Sequence, residues 1–496
     1  MKHQTQLANE DHQLKEGTQM IQGNNVGKGL KSKLRLATAA VLAISLVSTG
    51  AVSHAAAPAP KQIRILYATA EANSAAVQAV LSGFETKTGV KLVMDTMPYN
   101  ALQTKVFSEF AAKSPYYDVV IVDTPWSPAL VQNLEPLTSY MNNSRLNNLA
   151  PLNPSDFIPK VFFDTAVYDV AHPSVHYPSP TETVNAAKIK AAGFDVYGLP
   201  IQANALTLAY RADLFNDPAQ KAAFQKAYGR ALTVPKTLDE FAQVAKFFTQ
   251  PSKNLYGTTL MAGTGDWATD DFKSLLAAFG GDGYMVGNHQ ELAFNSDAGL
   301  KALTYYRDLI KAGVTPPGTT SASWDEVATS FDSGLTAMTM NYHDLKLDAS
   351  VKGGVIAYAK VPGATSEGPH FGTWMLSVNK YSQNKEWAYR AAQWLTSSGE
   401  ATAMLANGIH PARNSVYTAA AKLPDANKAA YYRTLKQSLA VGVGRPRLTN
   451  YGEVDAAIFT MVNNVATGKA EPKAALTETA AQVKKLLEEA GYKVSN

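Results

Sequence analysis

An α/β protein of two lobes is predicted by three observations. Strand-like and helix-like segments alternate through residues 63–122, and a second alternating stretch runs through 205–378. Between them, 118–122 (DVVIV) is apolar from end to end after its first residue, as in a strand buried on both faces of a parallel sheet. The alternation predicts right-handed crossovers, with ligands held beyond the carboxyl ends of the strands. Those ends are 67–71, 97–99 and 123–126.

Segment 63–67 (IRILY) is β-branched and apolar and reads as the first strand. Val77, Val80, Leu81 and Phe84 recur at helical spacing, which predicts one helix over 73–87, stopped by Gly89. A strand at 90–94, an amphipathic helix at 102–112 and the strand 118–122 follow. After Pro151 the pattern becomes loop-like, and 171–183, with three prolines and two histidines, reads as a surface excursion. The second stretch predicts strands at 205–210, 335–340 and 372–378. Its helices fall at 218–228, 238–249, 272–279, 298–312 and 324–332. Helices at 387–396, 454–465 and 474–490 close the chain.

The first 55 residues read as an address. Lys28, Lys31, Lys33 and Arg35 precede 17 uncharged residues, 36–52, which end at Ser53-His54-Ala55. Basic, apolar and small-residue segments in that order form a secretory signal peptide, and the run is short for a span of about 20 residues. Residues 56–62 are a Pro/Ala linker, and the exported body is expected to be soluble.

Of the 496 residues 46% are hydrophobic and 17% charged, enough for a large core. The formal charge is +4, with six basic and three acidic residues before position 56. A nearly neutral body disfavours nucleic acid. With no cysteine, disulfides, thiolate metal sites and a lipidated N-terminal cysteine are excluded. Dinucleotide, P-loop, zinc-protease and serine-hydrolase motifs are missing. Gly280, Gly281 and Gly283 follow a helix and read as its stop. Asp266, Asp270 and Asp271 lack calcium-loop spacing, and prolines separate His172 from His176. No cofactor and no metal are expected.

The aromatic residues say more. Trp126 follows the buried strand in DTPWSP, Trp267 lies in GTGDW, and Trp374 opens a strand in FGTW. An indole beside Asp or Asn suits a sugar, since the ring covers C–H faces while carboxylate and amide bond hydroxyls. Trp387 and Trp394, seven apart on an amphipathic helix, belong to the core.

Several segments together resemble extracellular solute-binding proteins of ABC importers. GFE at 83–85, TGVK at 88–91, YDVV at 117–120 and NLEPL at 133–137 are similar to the family's first lobe. GLP at 198–200 with LAYRADLF at 208–215 resembles its crossover, and FDSGLTAMTM at 331–340 its return strand. The ordered set is similar to the carbohydrate branch, which includes maltose- and polyol-binding proteins. The resemblance implies a cleft between lobes, residues 63–201 plus 341–381 forming the first and 203–340 plus 382–496 the second. It also implies a monomer that captures a sugar, oligosaccharide or polyol and docks on ABC importer membrane subunits, outside the cytoplasm and without catalysis. By position, Trp126 is similar to the first-lobe stacking aromatic, Asp123 to its polar neighbour and Asn204 to the crossover's polar side chain. Asp266 and Trp267 resemble the second-lobe loop, Asn341, Tyr342 and Asp344 the end of the return strand, and Tyr451 the late aromatic platform. Trp374 falls at the second crossing. A same-fold receptor for a polyamine, metal ion or anion, and a secreted carbohydrate-active enzyme, stay open as alternatives.

Overall fold

Five strands of the computed structural model form one sheet, in the order 91–97, 62–68, 119–123, 371–378 and 199–205. The structure describes residues 59–69, 72–286, 291–342 and 354–495, so the predicted leader (1–55) and Asp344 lie outside the described residues. β1 (Gln62–Ala68) pairs in parallel with β2 (Lys91–Met97) and β3 (Val119–Asp123). All five residues of β3 are buried, as its apolar run requires of a strand covered on both faces. The expected helix over 73–87 is two helices, Ser74–Gln78 and Leu81–Thr88. Asn73 caps the first by accepting from the Ala76 N–H (3.2 Å), and Gly89 ends the second at φ 74°.

After the two-residue pair β4 (Val167–Tyr168) and β5 (Asp195–Val196), the chain forms β6 (Leu199–Ala205) and β7 (Thr207–Arg211). Only Leu206 separates these two, yet they belong to different sheets, so the predicted strand 205–210 straddled a crossing. β7 lies between β8 (Met338–Asn341) and β9 (Ile356–Ala359), antiparallel to both. β10 (Phe371–Val378) then returns to the first sheet, antiparallel to β3 and β6.

Two large apolar cores follow these sheets. One draws on 63–205 and 371–439, the other on 208–338 and 448–487. This corrects the expected partition twice. Residues 388–439, assigned with 382–496 to the second lobe, pack in the first core: Ala388, Trp394, Tyr431 and Leu439 are all fully buried there. β9, assigned with 341–381 to the first lobe, pairs instead with β7 in the second sheet. The chain therefore crosses near 206, between 359 and 371, and between 439 and 448.

Trp394 is fully buried and Trp387 packs against the same core. Gly280, at φ 87°, follows the helix Asp266–Ala278 as its stop. The stretch 171–183 is irregular, but Tyr177 is buried and stacks on Phe163 at 4.5 Å between ring centroids.

Candidate functional site

A cavity of about 970 Å³ opens beyond the carboxyl ends of β3 and β6 and is lined by residues of both packing units. Asp123 ends β3 and is 5% exposed. It accepts from the Thr124 N–H and from the Tyr99 hydroxyl, each at 2.9 Å. Burial pushes its carboxyl up to about 6, against the pull of Arg445 and the Tyr99 hydrogen bond. The ladder between β3 and β10 puts Trp374 opposite Asp123. Trp126 follows in the turn that Asp123 caps. The rings of Tyr99, Trp126 and Trp374 then meet in one cluster, their centroids 5.1 to 5.8 Å apart. Two of the three contacts are edge-to-face, which suits the ring quadrupoles. Asn204, on β6, uses its carbonyl oxygen to accept from the Ala205 N–H (2.9 Å) and leaves Nδ2 buried without a partner.

The second core supplies the rest. The helix Asp266–Ala278 begins at the cavity, and the Trp267 indole donates to the Gly263 carbonyl (3.0 Å). Gly265 is needed for this placement: a Cβ there would lie 2.3 Å from the Trp267 ring. Trp267 meets Trp324 edge-to-face at 5.3 Å. Trp324 opens the helix Trp324–Asp332 behind the cap Ser323, whose capping box with Glu326 fixes the helix start. Asn341 is spent on positioning. Its Nδ2 donates to the Trp324 carbonyl (3.0 Å) and its Oδ1 accepts from the Tyr342 N–H (2.8 Å). Tyr451 begins the helix Tyr451–Ala466 and donates to Asp455 (3.3 Å).

Charge gathers around Arg445. Its guanidinium donates to Asp266 and lies 3.3 Å from Asp270. Burial opposes the charge on Arg445, but Asp266 and Asp270 outweigh it and hold its pKa well above the usual value. Burial pushes the Asp270 carboxyl up, and Arg445 pulls it back. Asp270 also accepts from the Tyr342 hydroxyl (3.0 Å), which contacts His370 in turn. Among the described residues no group of His, Cys, Asp and Glu could hold a metal ion.

Nine of the ten expected site residues line this single cavity: Asp123, Trp126, Asn204, Asp266, Trp267, Asn341, Tyr342, Trp374 and Tyr451. The tenth, Asp344, lies outside the described residues. Tyr99, Asp270, Trp324 and Arg445 line it too and were not singled out. Tyr99 stands at a strand end that the fold rule marks as ligand-facing, a usable signal. Trp324 reads from sequence only as the start of an amphipathic helix, and Arg445 as part of a loop.

Two α/β lobes joined by crossing segments around an aromatic and acidic cleft are the build of a solute-binding protein. The chain belongs to the family of bacterial extracellular solute-binding proteins, whose pattern it matches over residues 68–402. It is 24% identical over 350 residues to a Deinococcus radiodurans protein named "Probable ABC transporter-binding protein", covering 65% of this chain and 80% of that one. Among solved structures it is similar to an ABC transporter solute-binding protein of Agrobacterium radiobacter in complex with ribitol. That similarity has a TM-score of 0.67 and 24% identity over 86% of this chain and 99% of the other. Maltose-bound MalE3 of T. maritima matches at TM-score 0.67 and 22% identity, over 86% and 100% respectively.

Proposed function

We propose that this protein is an exported, monomeric receptor that captures a sugar, oligosaccharide or polyol and hands it to the membrane subunits of an ABC importer. The observation that carries the reading is the pair of aromatic surfaces on one cavity. Tyr99, Trp126 and Trp374 belong to the first core and Trp267 and Tyr451 to the second, with Trp324 edge-to-face on Trp267. Rings on both lobes can cover the C–H faces of a polyhydroxylated solute only when the lobes come together, so ligand favours the closed form. Asp123, Asn204 and Asp266 are suited to bond its hydroxyls, and Tyr342 backs them through Asp270. The ribitol and maltose named for the two solved relatives support the same solute class. Residues 1–55 serve as the signal peptide in this reading, and no described helix is long and apolar enough to cross a membrane.

The reading includes no catalysis. Glycoside hydrolysis needs one carboxyl as acid and a second free as base or nucleophile. Here Arg445 engages Asp266 and Asp270, and hydrogen bonds hold Asp123. The test is a thermal-shift screen over sugars and polyols, followed by recovery of the bound solute. A saturable shift with intact solute is expected; about 2.7 kcal/mol is gained at 100 times the dissociation constant. Shortened or rearranged sugar would overturn the receptor reading in favour of an enzyme.

A further inference from the structure

Among the described residues, those lining the cavity include seven with carboxyl groups and one basic residue, Arg445. Arg445 is already engaged by Asp266 and Asp270. Asp123 is different: it feels the charge of Arg445 but makes no ion pair among the described residues. Its hydrogen bonds come from Tyr99 and Thr124, both uncharged donors, and it is 5% exposed. A buried carboxylate without a cation is costly, and a neutral hydroxyl hydrogen-bonds it without neutralising it. The rings of Tyr99, Trp126 and Trp374, clustered beside it, present faces that attract a cation. Two further groups point to a polar solute. Asn204, 6% exposed, leaves its Nδ2 donor without a partner, and Asp266 leaves Oδ1 without one. The cavity thus offers an acceptor, a donor and a carboxylate with no ion-pair partner among the described residues, all beside aromatic walls.

We propose that the solute carries a protonated amine on a hydroxylated body, an amino sugar or amino-polyol, with its ammonium against Asp123 and the Tyr99–Trp126–Trp374 rings. This rests on the reading that the cavity takes a polyhydroxylated solute. The amine supplies a direct ion-pair partner for Asp123, while its hydroxyls meet Asn204 and Asp266.

The test is calorimetric titration of the full mature protein with matched sets. One set is sorbitol, 1-amino-1-deoxysorbitol and its N-acetyl derivative; the other is cellobiose, the free-amine glucosamine disaccharide and its diacetyl form. The free amine of at least one set is expected to bind about ten-fold or more tightly than its hydroxyl and acetyl counterparts. Asp123→Asn should bring the three members of that set to similar affinities. Because the comparison is made first on the unaltered protein, a poorly folded variant does not affect it. Neutral members binding as tightly as the amine would overturn the amine proposal and leave the polyhydroxylated reading standing. Binding by no member, where the thermal-shift screen finds a neutral sugar or polyol that binds, would overturn the amine proposal alone. Binding of spermidine, titrated alongside, with no sugar or polyol bound in either experiment would overturn both.

Discussion

Trp374 stands directly opposite Asp123 in the antiparallel ladder between β10 and β3, and the Thr124 hydroxyl donates to the Thr373 carbonyl (2.8 Å) beside them. Strand pairing, rather than a flexible loop, therefore holds an indole next to the cleft carboxylate. The two residues are far apart in sequence, and their register is fixed by backbone hydrogen bonds that a side-chain substitution does not remove. A site built on paired strands keeps its geometry when a lining side chain is changed, so such variants report on binding.

Trp267 and Trp126 should separate binding from stability. Trp267 is half-buried and Trp126 is 3% exposed. Trp267→Ala is expected to weaken solute binding by about 1–3 kcal/mol, as loss of an anchor does. Trp126→Ala should weaken binding similarly and also lower the melting temperature more, because it leaves a cavity in the first core. Calorimetry and thermal melts on both variants check this. Normal binding by Trp267→Ala would remove that ring from the site.

Gly265→Ala tests placement of the same ring without deleting it. The added methyl would lie 2.3 Å from the indole, so the ring must move. Affinity should fall toward that of Trp267→Ala, with a changed near-ultraviolet circular dichroism signal and little loss of helix. An unchanged affinity and spectrum would mean that the indole position does not matter.

Asp271 gives a pH prediction away from the solute. It accepts from the Met261 N–H (2.9 Å) and the Tyr306 hydroxyl (3.1 Å), and burial pushes its carboxyl up to about 7. A carboxyl raised above its unfolded value contributes most when protonated in both states. That contribution is lost as pH rises from about 4 through about 7. Asp271→Asn keeps one acceptor oxygen and cannot ionise. Its melting temperature should exceed that of the unaltered protein at about pH 8, by a margin that closes at about pH 4. A margin independent of pH would refute the assignment.

How far the sequence reaches can be argued from these residues. Asp123 and Trp126 were legible because they lie at the carboxyl end of a recognisable apolar strand, where the topology places ligands, and Trp374 because it stands early in the predicted strand 372–378. Asp270 and Arg445 were not, since they are 175 positions apart and neither shows any local pattern that names the other. The two sheets were legible as an α/β alternation, yet the share of each lobe was not. Helix periodicity shows that 387–396 has an apolar face, and it carries no information on which core that face meets. The point of the crossing at Leu206 was hidden for a related reason: residues 199–209 are buried without a break, and only the hydrogen-bond partners of β6 and β7 divide them.

Arg445 carries the last prediction. It is the basic residue among the described residues lining the cavity, and it is 5% exposed with Asp266 and Asp270 on its guanidinium. Replacing it with Met keeps the bulk and removes the charge, leaving two carboxyls without a cation. Breaking a buried ion pair from one side costs about 3–5 kcal/mol, most of it the penalty of the abandoned charge. The loss should be smaller at about pH 5 than at about pH 8, because an abandoned carboxylate takes up a proton to escape the penalty. The triple variant Arg445→Met, Asp266→Asn, Asp270→Asn abandons neither carboxylate, and buried Lys273, which loses both as neighbours, keeps Asp164, so part of the lost stability should return. If the triple variant is as unstable as the single one, the cost lies in packing rather than charge. Solute binding separates two roles further. If Arg445 only holds Asp266 in position, the triple variant binds weakly, because the Asp266 carboxylate itself is gone. If Arg445 alone met the solute, Asp266→Asn by itself would bind normally, and the arrangement proposed for the cleft would have to be given up.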